Sequence, residues 1–170
     1  LITLTRYEKL LIEAEKQTVI VLELDLGTNK KCGKYISNKE KNIIIINSNM
    51  TEIDKYEVLA EELGHHHTTF GHITNQKDIR NKKLELIARK DSFKILVEPN
   101  DVVEAMRYGV TTIYEMAEYL NITIDTLLNI LNEWKKQYGM GIFVGNYYLQ
   151  LEPSFGIIRD FGGLFNYNNF

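Results

Sequence analysis

The stretch LAEELGHHHTTFGH, residues 59–72, holds most of the chemistry this chain can do: Glu61, Glu62, His65, His66, His67 and His72. On an α-helix, side chains four apart share a face, so Glu61 and His65 project side by side, with Glu62 about a quarter turn away. A carboxylate and an imidazole are both zinc ligands, and a catalytic zinc site uses three protein ligands with a fourth position left for water. Glu62 would then stand ready to take the proton of that water, and hydrolysis of a peptide bond is the fitting reaction.

The corresponding zinc-peptidase string is H-E-x-x-H, and here glutamate replaces its first histidine. A bare E-E-x-x-H also describes a solvated acidic helix face. Three neighbouring features favour the metal. Glu57 and Glu61 are like charges one turn apart, an arrangement that a bound cation would relieve. Gly64 lies inside the helical pattern although glycine costs about 1 kcal/mol there relative to alanine, so a ligand or a neighbouring helix must come close. The preceding strand and turn place the helix beside a sheet edge, where an extended peptide can pair.

Glu85 is the best third ligand, on a second helix with Ala88 and Ser92 on the same face; the competing reading is an i, i+4 surface pair with Arg89. His66, His67, His72 and Asp78 are substitutes, and three consecutive helical histidines cannot all face one ion. His72, after Gly71, could instead donate to a developing oxyanion.

The elements that must position these groups follow from periodicity. LTRYEKLLIEAEKQ sets Tyr7, Leu10, Leu11 and Ala14 at helical spacing, and TVIVLELDLG alternates as a strand. KYIS and NIIIINS flank the turn NKEK as a hairpin whose second strand is apolar on both faces, which predicts cover on both. Thr51 and Asp54 suggest a capping box for a helix carrying Tyr56, Leu59, Ala60 and Leu63. KKLELIARKDSFKILV is a further helix with a stripe of Leu84, Ile87, Ala88 and Ile95. Beyond Pro99, DVVEAMRYG, TIYEMAEYL and IDTLLNILNEWKKQYG are helical, and IFVGNYYLQLEP and FGIIRDFGG are strand and loop.

With 170 residues and 44% hydrophobic content the chain can bury a core. One cysteine, Cys32, excludes an internal disulfide framework, and the absence of a signal peptide or long apolar run suggests a cytoplasmic setting with no membrane partner. A net charge of -3 carries no footprint of a nucleic-acid binder.

YEKLLIEAEKQ, KYISNKEKNIIIINSNM, YEVLAEELGHHHTTFG and KLELIARKDSFKILVEP, in that order, resemble the ImmA/IrrE-type metallopeptidases of phages and integrative mobile elements of Gram-positive bacteria. The likeness covers about residues 5 to 140. This branch tolerates glutamate at the first position of the zinc motif; it often has tryptophan and alanine where this chain has Asp91 and Ser92. The resemblance implies Glu61, His65 and Glu85 as zinc ligands and Glu62 as general base. It also implies an α+β, zincin-like fold: a small twisted sheet, an active-site helix and an additional helical lobe. We expect the core over residues 1–98, the helical lobe over 99–139, and a strand and loop tail over 140–170 packing on the core. The implied substrate is the helix-turn-helix repressor of the element itself, whose cleavage derepresses its genes.

One alternative comes from TIYEMAEYLNITIDTLLNILNEW, which has the outline of a helix-turn-helix. Over residues 111–139, Glu115, Glu118, Asp125 and Glu133 oppose only Lys135 and Lys136, a poor endowment for binding phosphates. A DNA-binding regulator and an inactive metal-binding sensor remain the rival readings.

Overall fold

The computed structural model describes residues 3–69 and 79–159 and divides into two compact units, 1–96 and 97–170. The first opens with α1 (Arg6–Lys16), followed by β1 (Val19–Leu24), β2 (Gly33–Ser37), β3 (Asn42–Asn47), α2 (Glu52–Thr69) and α3 (Ile79–Leu96). Helix α1 begins at a capping box in which the Thr5 side chain accepts from Glu8 N–H and the Glu8 carboxylate accepts from Thr5 N–H. It buries Tyr7, Leu10 and Ala14, the stripe its spacing predicts, with Leu11 half-buried.

The sheet has strand order β1-β3-β2, with β1 parallel and β2 antiparallel to the central β3. Alternation along β3 sends Ile44 and Ile46 to the side packed by α1 and α2, where both are fully buried. The other face carries Ile20, Leu22, Leu24, Ile36, Ile43 and Ile45; Ile43 and Ile45 are only half-buried, and the other four are exposed. The expected cover on both faces of β3 is therefore corrected: helices pack one face, and among the described residues the second has no helix of its own unit upon it. Asn47, buried at the end of β3, donates from Nδ2 to the carbonyls of Thr28 and Lys30 and so fixes the loop that delivers Lys31.

Thr51 caps α2, its hydroxyl accepting from Asp54 N–H and donating to the Asp54 carboxylate. Tyr56, Leu59, Ala60 and Leu63 are all buried, and the Tyr56 hydroxyl donates to Leu96 O across to α3. Helix α3 departs from its expected stripe: Ala88 is buried, Leu84 and Ile95 are half-buried, and Ile87 is exposed beside Leu86. The physical reason is that α3 is held by close backbone approach rather than by bulky side chains. A Cβ placed on Gly64 would lie 2.3 Å from Ala88 O and 3.4 Å from Ser92 N. The glycine thus admits the neighbouring helix, one of the two occupants its position predicts.

The second unit comprises α4 (Pro99–Arg107), α5 (Ile113–Leu120), α6 (Ile124–Tyr138) and an antiparallel meander of β4 (Gly141–Val144), β5 (Tyr147–Gln150) and β6 (Gly156–Arg159). Its apolar centre gathers Val102, Val103, Met116, Leu120, Leu127, Ile130, Trp134 and Leu149. Left-handed Asn121 ends α5, and Thr123 caps α6 by accepting from Thr126 N–H. Strands β4 to β6 fold against α4 and α6 within this unit. The described strands of the tail expected over 140–170 fall in the same compact unit as the helical lobe, where Leu149 is fully buried. Among the described residues no helix is long and apolar enough to cross a membrane.

Candidate active site

The site lies where α2 passes under the edge strand β2 and beside α3. Cys32 O accepts from Asn47 N–H, and Asn38 N–H donates to Lys41 O. In an antiparallel ladder bonded and unbonded pairs alternate, so Lys34 and Ile36 pair inward with β3, while the backbone groups of Gly33, Tyr35 and Ser37 face outward. The outward N–H of Tyr35 donates to the Glu62 carboxylate.

Glu62 is half-buried. Burial pushes its carboxyl above the ordinary carboxylate value; His65 and the Tyr35 N–H offset part of that, and the neighbouring charges of Glu61 and Glu85 add to it. A carboxylate raised in this way is a better proton acceptor near neutral pH. Gly33 sits against it: a Cβ there would lie 2.5 Å from Val58 Cγ1 and 3.3 Å from Glu62 Cγ, so the strand can lie this close to α2 only with hydrogen at that position.

His65 and Glu85 are neighbours across the α2–α3 interface, with Nε2 3.8 Å from Oε2. The partial burial of His65 and the exposure of Glu85 put this pair at the rim, open to solvent. The Arg89 guanidinium, the rival partner for Glu85, lies over the Phe93 ring at 5.5 Å from its centroid. Glu61 is exposed one turn before His65. Among the described residues no three His, Cys, Asp or Glu side chains stand close enough to clasp one ion as placed, so a three-ligand site also requires Glu61 to swing towards the His65–Glu85 pair. By donor chemistry, two carboxylates and an imidazole fit zinc.

The adjacent histidines point elsewhere. His66 is buried, with Nδ1 2.8 Å from the Tyr35 hydroxyl, which itself donates to Asn42 Oδ1. Burial, together with the charge of His67, holds its imidazole below the usual histidine value, which favours the neutral form. His67 bridges helices, with Nδ1 2.5 Å from Asp91 Oδ2 and Nε2 2.6 Å from Gln17 Oε1. Asp91, one of the two positions where the chain departs from the family pattern, therefore has a structural partner. His72 and Asp78 lie outside the described residues.

One inference from the sequence is overturned. Glu57 does not await a metal to relieve its repulsion with Glu61: it is buried against the Lys31 ammonium, which also stands 3.7 Å from Asp54. The cation comes from the loop before β2, 26 residues away. Sequence reasoning also missed Gly33 and Tyr35. Hairpin alternation places both on the helix-facing side, but nothing local ties that register to Glu62.

No significant match was found among curated proteins or among solved structures. The family model for the IrrE N-terminal-like domain, a metallopeptidase-type family, matches residues 14–132, which take in both helices of the site and the sheet edge above them. That match spans well over half of the sequence, and the chain belongs to the IrrE N-terminal-like peptidase family.

Proposed function

We propose that this protein is a zinc-dependent endopeptidase of a phage or integrative mobile element, and that its substrate is a helix-turn-helix repressor whose cleavage derepresses the element's genes in the cytoplasm. The observation that carries the reading is the placement of Glu62. It is a partly desolvated carboxylate anchored by the Tyr35 N–H, beside an imidazole that approaches a second helix's carboxylate at 3.8 Å.

His65 and Glu85, joined by Glu61, would hold the zinc ion. Bound there, zinc supplies Lewis acidity and lowers the pKa of a water towards about 7. The remaining work falls to the chain. The outward backbone groups of Gly33 and Ser37 offer an extended substrate a strand to pair with, laying the scissile bond along the edge above α2. Glu62 takes the proton of the attacking water and returns it to the departing amine. The Tyr35 N–H keeps the carboxylate aimed while it changes charge. His66 supports the Tyr35 side chain from below, as an outer partner of the site rather than a ligand.

Elemental analysis of freshly purified protein, with cleavage of the candidate repressor followed on gels, tests this. We expect about one zinc per chain. Glu62→Gln should abolish cleavage and retain zinc; His65→Ala should lose both. Zinc lost from Glu62→Gln would overturn the roles assigned here, and full activity in that variant would overturn the mechanism. Zinc without turnover of any candidate repressor would favour the sensor reading.

A further inference from the structure

We propose that the solvent side of α5 is a docking face for a cationic, arginine-bearing segment of a protein partner, an inference that stands apart from the peptidase reading. Helix α5 buries Met116, Ala117 and Leu120, and its exposed side consists of Tyr114, Glu115, Glu118 and Tyr119. These form one surface, because 114 and 118, and likewise 115 and 119, are a single turn apart. Tyr108 at the end of α4 extends it, its ring stacked on Tyr119 with centroids 6.3 Å apart. Glu104 lies one turn before Tyr108 and is also exposed. Tyr108 is 80% exposed and Tyr114 69%, far more than rings with only a packing role require. Tyrosine gathered on a surface is a mark of interfaces, where it supplies large contact area at little conformational cost.

Charge selects the occupant. Hydrogen bonds from the N–H groups of Thr111 and Thr112 hold the Glu115 carboxyl below its ordinary value, so it stays ionised. Over residues 97–159 eight Asp and Glu face four Lys and Arg, and Arg107 already lies over the Tyr147 ring, 5.4 Å from its centroid. Ring faces and carboxylates both attract guanidinium, which can stack on the one and pair bidentately with the other. The same surface repels phosphate, so nucleic acid and anionic lipid are the wrong partners. An apolar helix would bury the carboxylates without compensation.

The test is fluorescence anisotropy of a labelled nona-arginine peptide titrated with the full chain, in the presence of a chelator so that hydrolysis is silent. We expect saturable binding that weakens with salt. Glu118→Lys should weaken it about tenfold. Tyr108→Ala and Tyr114→Ala should each weaken it about threefold, with Tyr→Phe at either position retaining affinity. Glu40→Lys, the same charge reversal on the hairpin turn of the first unit, should leave it nearly unchanged. These positions are exposed, and circular dichroism of each variant checks that the fold is kept. Equal loss in Glu40→Lys and Glu118→Lys would mean that net charge alone is at work and would overturn the proposal. So would tighter binding of labelled duplex DNA than of the peptide, or a dimer in sedimentation that Glu118→Lys dissolves, which would assign the face to a second copy.

Discussion

Helices α2 and α3 form one consecutive pair and α5 and α6 another, and the two are held by different means. The α5–α6 pair is built on volume and caps. Met116, Ala117, Leu120, Leu127, Ile130, Leu131 and Trp134 fill its interior, and Thr112, Asn121 and Thr123 set its ends. The α2–α3 pair is built on proximity. Gly64 brings one backbone against the other, and Glu57, His66 and Ser92 are buried, each with a named partner: the Lys31 ammonium, the Tyr35 hydroxyl and the Arg89 carbonyl. A pair whose interior has only to be stable excludes carboxylates and imidazoles from it. The pair that carries reactive groups admits them, and each needs a partner to offset its desolvation.

Gly64→Ala should break this contrast most sharply. The new methyl would meet Ala88 O, and the helices must separate or α3 must slide, at a cost of about 3 kcal/mol seen in urea unfolding by circular dichroism. Unchanged stability would show that the close approach is not what joins the pair. Next in size, Lys31→Met strips the ammonium from buried Glu57. We expect about 2 kcal/mol of destabilisation, less than for a fully buried pair because Lys31 is itself partly exposed, and substantial recovery in Lys31→Met with Glu57→Met. Thr112→Ala should cost the α5–α6 pair about 1 kcal/mol through loss of its capping box, with no change at the site.

The smallest effect concerns pH. Because the folded-state value of Glu62 is raised, folding favours its protonated form. The associated stability is present below the unfolded value of 4.5 and is lost as pH rises through the folded one. Glutamine does not titrate. The Tm of metal-free Glu62→Gln should therefore gain on that of the parent as pH rises above 4.5 and through the raised folded-state value. A constant difference would mean that Glu62 is not desolvated in the fold.

Legibility in the sequence followed the same contrast. The stripes of α1 and α2, the hairpin, and the Thr51 cap of α2 match their spacing, because burial of hydrocarbon is periodic and caps are local. Helix α3 departs from its apolar spacing at Ile87, because such spacing identifies a helix but not which face a glycine opposite will let in. The relief of Glu57 is invisible in the spacing of α2, because its ammonium comes from a loop that adjoins the helix only in three dimensions. Motif and resemblance point to Glu61, Glu62, His65 and Glu85; the approach of His65 to Glu85 takes the two helices side by side.

By itself the chain order determined which segments become helix or strand, which carboxylates and imidazoles share a helix face, and that a neighbour comes close at Gly64, since these follow from spacing within one or two turns. Tertiary structure alone decided what those groups meet: the Tyr35 N–H above Glu62, Lys31 beside Glu57, and Glu85 across from His65. The physical reason is that polar side chains buried in a protein are governed by partners distant in sequence, and spacing carries no record of those distances.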